Sequence, residues 1–227
     1  NDLGYLRDAD LITQRVDLRY QVNKPWKILR NYYYTLSQRS EWSFGAENTS
    51  NHLNLHAFFK FTNLWDVHID GSRNFGRRDT RPLRGAPALR IDPYTSAEIF
   101  MQTNSASKIF LGGGLYKKWV DGNVAGSIDY TLYLQWKISN RFSITSRTRF
   151  EKLTDNNQYV TNRPGSPAVR YIVGKIERNT LYTTLRAEYF ISPELSLQFY
   201  GSPYASTGKY KELYKVNESY AHDPELR

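Results

Sequence analysis

Four side chains able to bind a metal or carry a proton crowd into one stretch, NHLNLHAFFKFTNLWDVHID: His52, His56, His68 and Asp70. Imidazole nitrogens and a carboxylate are ligands for a divalent cation, so chemistry is sought here first. The same spacing has a plainer reading. His56 and Lys60 stand at the same distances before the turn Thr62-Asn63-Leu64 as Asp70 and Asp66 stand after it, and opposite charges on facing strand positions satisfy one another. No orienting partner for a ligand imidazole can be identified, so neither a metal nor any other cofactor is expected.

The other reactive-looking stretches resolve in the same way. Arg73, Arg77, Arg78, Arg81 and Arg84 make a basic loop; its expected partners are lipopolysaccharide phosphates or loop carboxylates such as Asp79 and Asp92, and not nucleic acid, which would ask for stacking aromatics beside the charge. Gly112-Gly113-Gly114 lacks the Lys-Ser/Thr ending of a phosphate loop, and marks a strand that meets a bulky neighbour or bends. Asp155-Asn156-Asn157 lacks the spaced ligands of a calcium loop. The serines fall in no nucleophile-elbow pattern, and with no cysteine present thiol catalysis and disulfide scaffolds are both excluded. No catalytic residue is assigned, and an enzyme is not expected.

What positions these residues is a long alternation. In SIDYTLYLQWK, residues 127–137, Ile128, Tyr130, Leu132, Leu134 and Trp136 take one side, and Asp129, Thr131, Tyr133, Gln135 and Lys137 the other. Period two is the mark of a strand. After Ser139-Asn140-Arg141 the pattern resumes, with Ile144 on the apolar side and Arg147 and Arg149 on the polar one. Similar runs turn at 23–25, 62–64, 104–107 and 192–194, so the chain reads as ten strands in five hairpins. Pairing around these turns sets Trp136 against Ile144, Tyr189 against Leu197, Tyr133 against Arg147, Glu188 against Gln198 and Arg186 against Tyr200. Arg30 falls on the apolar side between Ile28 and Tyr32, a costly place for a charge facing lipid.

Tight turns at one end alternate with longer connections, placed at 37–51, 72–95, 117–124 and 153–178, at the other. That asymmetry, with runs of about 9 to 11 residues, suits strands tilted across a bilayer. The mean hydropathy of −0.64 does not argue against it, because wet-facing residues average out the lipid-facing ones. A net charge of +9 favours an anionic neighbour, and 18 Tyr, 11 Phe and 5 Trp suit a membrane interface.

The stretches NDLGYLRDAD (1–10), RPLRGAPALR (81–90) and QFYGSPYASTGKY (198–210) resemble the β-barrel region of Bacteroidota outer-membrane proteins, in which an uncharacterised barrel domain follows a family 9 carbohydrate-binding-like module. The resemblance implies an upstream sugar-binding-type module, further strands downstream and no catalytic residues. The expectation is then an all-β protein: an antiparallel transmembrane barrel in the outer membrane of a Gram-negative bacterium, with short periplasmic turns and long extracellular loops. Residues 1–227 read as a single barrel domain, part of a larger barrel and a longer chain. Its lumen is expected to be lined by Lys60, Asp66, His56, Asp70, Tyr133, Lys137, Arg147, Arg149, Arg186 and Glu188. The function expected is passage or docking of polar, carbohydrate or anionic solutes, with lipid, lipopolysaccharide and other outer-membrane or periplasmic proteins as partners. Two alternatives stand beside it: a non-conducting barrel that scaffolds partner proteins, and a soluble β-barrel that binds a ligand.

Overall fold

A computed structural model of the chain describes residues 11–79, 82–84, 88–123, 125–165, 169–217 and 219. They form β1 (Ile12–Val22), β2 (Leu29–Trp42), β3 (Asn48–Phe61), β4 (Asp66–Asn74), β5 (Arg77–Asp79), β6 (Leu89–Ile91), β7 (Tyr94–Gln102), β8 (Ile109–Val120), β9 (Gly126–Lys137), β10 (Phe142–Arg163), β11 (Arg170–Phe190), β12 (Ser196–Gly201) and β13 (Tyr204–Lys215). The main sheet runs β1-β2-β3-β4-β7-β8-β9-β10-β11-β12, with β13 also on β11. Every pairing is antiparallel, between consecutive strands except that β4 pairs with β7 and β11 also with β13, and β5 and β6 pair apart from the main sheet. β12 and β13 are one strand interrupted at Pro203: Thr183 donates to the Pro203 carbonyl at 3.0 Å, and the proline nitrogen has no hydrogen to return the bond. This is an all-β antiparallel fold, and among the described residues the sheet is open, because β1 pairs only with β2 and β12 and β13 only with β11.

Alternation divides the sheet into two faces, and register aligns each across it. Ile99, Leu115, Tyr130, Phe150 and Leu181 lie in one row. The neighbouring row, on the opposite face, reads Asp70, Glu98, Tyr116, Asp129, Glu151 and Thr180. Burial is reversed from that of a water-soluble sheet. Leu18, Leu132 and Leu197 are 65%, 61% and 65% exposed on the apolar face, while Asp129, Asp66 and Thr180 are 2%, 5% and 1% exposed on the other.

The tight turns at 62–64, 104–107, 139–141 and 192–194 fall where expected, but the first does not: Val22 pairs with Tyr32 and Trp26 bridges to Leu29, so the chain turns about Lys27 and not at 23–25. The long connections also differ. The expected loop at 37–51 is mostly strand, with only a five-residue turn between Trp42 and Asn48, and the one at 153–178 shrinks to the link between Arg163 and Arg170. The loop at 117–124 gives way to β8 as far as Val120, and the one at 72–95 holds β5 and β6. Beyond the apolar band both faces are polar, so the alternation that reveals a strand disappears while the backbone ladder continues. Arg30 is also resolved. Leu29 pairs with Phe61 and Asn31 with Lys60, which makes Arg30 the extra residue of a bulge and leaves it outside the ladder.

The triple glycine has the reason anticipated for it. Phe100 on β7 lies across β8, and a Cβ on Gly112 or Gly114 would stand 3.0 or 2.6 Å from its ring. At the loop end, Leu83 and Leu89 pack with Val173 into a small core that Tyr159, Tyr171 and Tyr214 flank. The segment from Phe75 to Pro93 joins β4 to β7, yet it reaches β10, β11 and β13 past the intervening β8 and β9. At its other end Phe75 donates to the Asn51 carbonyl at 3.0 Å and Arg78 pairs with Glu47, also at 3.0 Å. It is a strap across the loop end, and a cavity of about 230 Å³ lies between its Pro82 and Asp92 and the polar-face Tyr94, Lys118 and Asp155.

Gly114→Val should lower stability by about 1–3 kcal/mol, the range for overpacking, because its Cβ also meets the Ile99 carbonyl at 3.2 Å. Pairing it with Phe100→Ala should recover part of that loss in a double-mutant cycle read by denaturant unfolding; additive losses would show that the ring is not what excludes a side chain.

Candidate functional site

The polar face gathers the ionisable side chains, so the candidate site is built from its rows. Across the β3–β4 turn, Lys60 Nζ donates to Asp66 Oδ2 at 2.8 Å and His56 Nδ1 lies 2.9 Å from Asp70 Oδ1. His68 Nε2 is 3.4 Å from Asp66 Oδ1, and the His56 and His68 rings stand 5.7 Å apart. The carboxylates thus occupy the imidazoles. Among the described residues no three His, Asp or Glu side chains gather in a way that would hold a metal ion.

A second cluster lies on β9, β10 and β11. Arg149 Nη2 donates to Asp129 Oδ2 at 3.0 Å and approaches Glu151 at 3.9 Å, and Arg178 Nη2 donates to Glu151 Oε2 at 3.2 Å. Asp129 is buried while Arg149 stays half exposed, so the carboxylate is fixed and the guanidinium still meets the space over the sheet. Arg147 faces Tyr133 across the strands, and the Tyr133 ring meets Phe110 edge-on at 5.3 Å. Through the first cluster, between its Lys60–Asp66 and His56–Asp70 pairs, runs an aromatic row: Tyr33, Phe58, His68 and Phe100 are in register on adjoining strands. The rings of Tyr33 and Phe58 stack at 5.0 Å, and Phe58 and His68 meet edge-on at 5.0 Å.

The remaining expected residues are spread along the face. Lys137 Nζ donates to the Ser105 carbonyl at 3.1 Å, tying two tight turns together. Arg186 lies 5.3 Å from the Tyr200 ring centre, and Glu188 accepts from Gln198 at 2.8 Å. The basic loop is divided. Arg73 Nη1 and Nη2 donate to Asp121 at 2.8 and 2.6 Å, Arg77 pairs with Asp79 at 3.2 Å, and Arg84 lies 5.2 Å from the Tyr159 ring centre. Arg81 lies outside the described residues. The loop's charges therefore bind its own carboxylates and the strap's neighbours.

Glu98, Tyr116 and Arg178 belong to these rows but were not singled out from sequence. Glu98 and Tyr116 sit on the β7–β8 hairpin, where Gly112 to Gly114 break the alternation; Arg178 sat inside the expected loop at 153–178. The signal for the first two was the aromatic Phe100 set opposite glycines.

The chain belongs to the family described as Domain of unknown function (DUF5916), whose model matches residues 1–224. None of the curated proteins matches it, and none of the solved structures does.

Two outcomes follow from the pairing. Asp129→Ala leaves Arg149 without its nearest acceptor and should lower unfolding stability by about 1–3 kcal/mol, below the cost of a fully buried pair because Arg149 is half exposed; the loss should nearly vanish in an Arg149→Met background. The Arg73 guanidinium holds the Asp121 carboxyl below its ordinary range. A depressed folded value stabilises above the unfolded carboxylate value, about 3.9, and the effect fades as pH falls through the folded one. Unfolding midpoints of the wild type and Asp121→Asn should therefore differ at neutral pH and converge in acid.

Proposed function

We propose that this chain is a wall of an outer-membrane β-barrel in a Gram-negative bacterium, and that it serves the passage or docking of polar, carbohydrate or anionic solutes. One observation carries the reading: the large apolar side chains stand exposed on one face while buried atoms belong to carboxylates and hydroxyls on the other. A soluble sheet covers its apolar face. Hydrocarbon is the surroundings in which the observed arrangement costs least, because lipid then solvates Leu132 and Leu197 and the enclosed side keeps the ion pairs wet.

The dimensions agree with that home. The apolar run from Ile128 to Ile138 covers roughly 33 Å of strand at about 3.3 Å per residue; tilted by about 40° it spans about 25 Å, the height of an outer-membrane apolar band. The strap supports a second reading. Because it crosses the polar face at the loop end, the wall would present a docking surface or scaffold and not conduct by itself. The likeness to Bacteroidota outer-membrane proteins with a carbohydrate-binding-like module favours a sugar as the solute in either case.

With no cysteine in the sequence, single substitutions report each face. In the full-length protein in its native membrane, Tyr133→Cys should react with a water-soluble maleimide and Leu132→Cys only with a lipid-soluble one. Equal reaction with the water-soluble reagent would remove the membrane reading. In planar bilayers, deleting residues 77–91 should produce or enlarge conductance steps; a protein that stays silent after the deletion acts by docking.

A further inference from the structure

The ion pairs of the polar face leave a contrast on the opposite face. Lys117, Ile128 and Lys152 lie in one register row on three adjoining strands, one step above the apolar row Leu115, Tyr130 and Phe150. One step further up stand Trp119, Gly126 and Thr154. The two lysines therefore mark the rim of the apolar band. Among the described residues neither ammonium has a carboxylate partner: Lys117 lies 5.7 Å from the Trp119 ring centre, and Lys152 lies 5.7 Å from that of Phe150. Glu177, which borders the same cavity, is taken by Lys211 at 3.2 Å.

Between them the wall is notched. Gly126 carries no side chain and has no room for one, since a Cβ would come within 2.7 Å of the Lys118 carbonyl oxygen. A cavity of about 460 Å³ opens there, bordered by Lys117, Trp119, Gly126, Ile128 and Lys152, with Asn179 at its side. Two cations, an amide and an indole surround the notch above Ile128, and the carboxylate on its border, Glu177, is engaged by Lys211.

We propose that this notch holds the phosphate of an anionic lipid headgroup, with Lys117 and Lys152 as its cations and the acyl chains lying over Ile128 and Tyr130. The proposal rests on the membrane reading above, because only a bilayer brings headgroups to this height. Charge complementarity selects the occupant. A peptide would have to leave Ile128 and Tyr130 uncovered or bring its own acid, whereas a phospholipid supplies anion and hydrocarbon in the observed vertical order. Trp119 suits the same depth, as indoles gather at the water boundary.

The test uses the full-length protein in nanodiscs of phosphatidylcholine with a minority of phosphatidylglycerol, reading the anionic fraction of the lipid that remains bound on extraction. The wild type should enrich phosphatidylglycerol. Lys117→Gln and Lys152→Gln should each weaken that preference roughly fivefold, and together roughly 25-fold, from the usual contribution of a lysine near a charged membrane. Lys118→Gln, on the polar face of the same strand, should leave it unchanged, and inorganic phosphate should not compete. Undiminished enrichment in the double variant, an equal loss in Lys118→Gln, or displacement of the lipid by inorganic phosphate would overturn the proposal. Labelling of Leu132→Cys in the same discs separates the two failures: a protein that does not insert loses the membrane reading, and one that inserts without lipid preference loses only this site.

Discussion

Everything in this fold depends on backbone hydrogen bonding carried out beside apolar side chains. Bulky Leu, Ile, Tyr and Trp side chains shield the strand amides beside them, and within the sheet each amide finds its partner in the next strand. The antiparallel ladder supplies those partners with no crossover anywhere in the main sheet. Side-chain burial contributes little by comparison. The described residues show only a small packed core, and it sits with the strap at the loop end. The sheet is held by its ladder and by side chains that meet across strands on the polar face.

Those side chains explain why the polar face is also rigid. A wet face could have been lined by independent serines and lysines, each solvated alone. Here Lys60 and Asp66, His56 and Asp70, and Arg149 and Asp129 satisfy one another across register positions, so a slip of one residue would part every pair and turn it toward the apolar side. Glycines at 112 and 114 leave room for Phe100 against β8, which completes the aromatic row that passes between the Lys60–Asp66 and His56–Asp70 pairs. The polar face is thus a set register as well as a charged surface, with each pair held at a fixed position on the sheet.

How much of this could be read in the chain follows from the same two faces. Where one face is apolar and the other polar, alternation marks both strand and register, and the pairs Tyr133 with Arg147 and Glu188 with Gln198 were readable from the turns alone. Where both faces meet water the mark vanishes. β10 continues thirteen residues past Phe150, the last large apolar residue of its outward row, to Arg163, yet TDNNQYVTNR looks like any exposed loop. Two bulges in that stretch disturb the pattern further. The strap was illegible for another reason: Leu83 and Leu89 are single apolar residues in a basic stretch, and nothing local says that Val173 is their partner. Lys117 fell inside the expected loop at 117–124 and Lys152 at the border of the one at 153–178, so no strand face could be assigned to either, although β8 runs to Val120 and β10 to Arg163.

The open edges complete the physical picture. β1 is an eleven-residue strand without proline, glycine or bulge, carrying Val16, Leu18 and Tyr20 on the apolar face. A soluble protein guards such an edge with inward charge, proline or a covering loop; β1 has charge only toward the polar side, at Arg15, Asp17 and Arg19. In hydrocarbon its unpaired amides and carbonyls would cost several kcal/mol each, far more than any single contact described above returns. On the proposed membrane reading, a wall of this polarity would need a partner for each open edge. The first strand and the last run antiparallel to one another, since each step along the main path reverses direction, so an even set of added strands closes the ring without a parallel seam. On the same proposed reading, the ring would be wider than the arc these residues form.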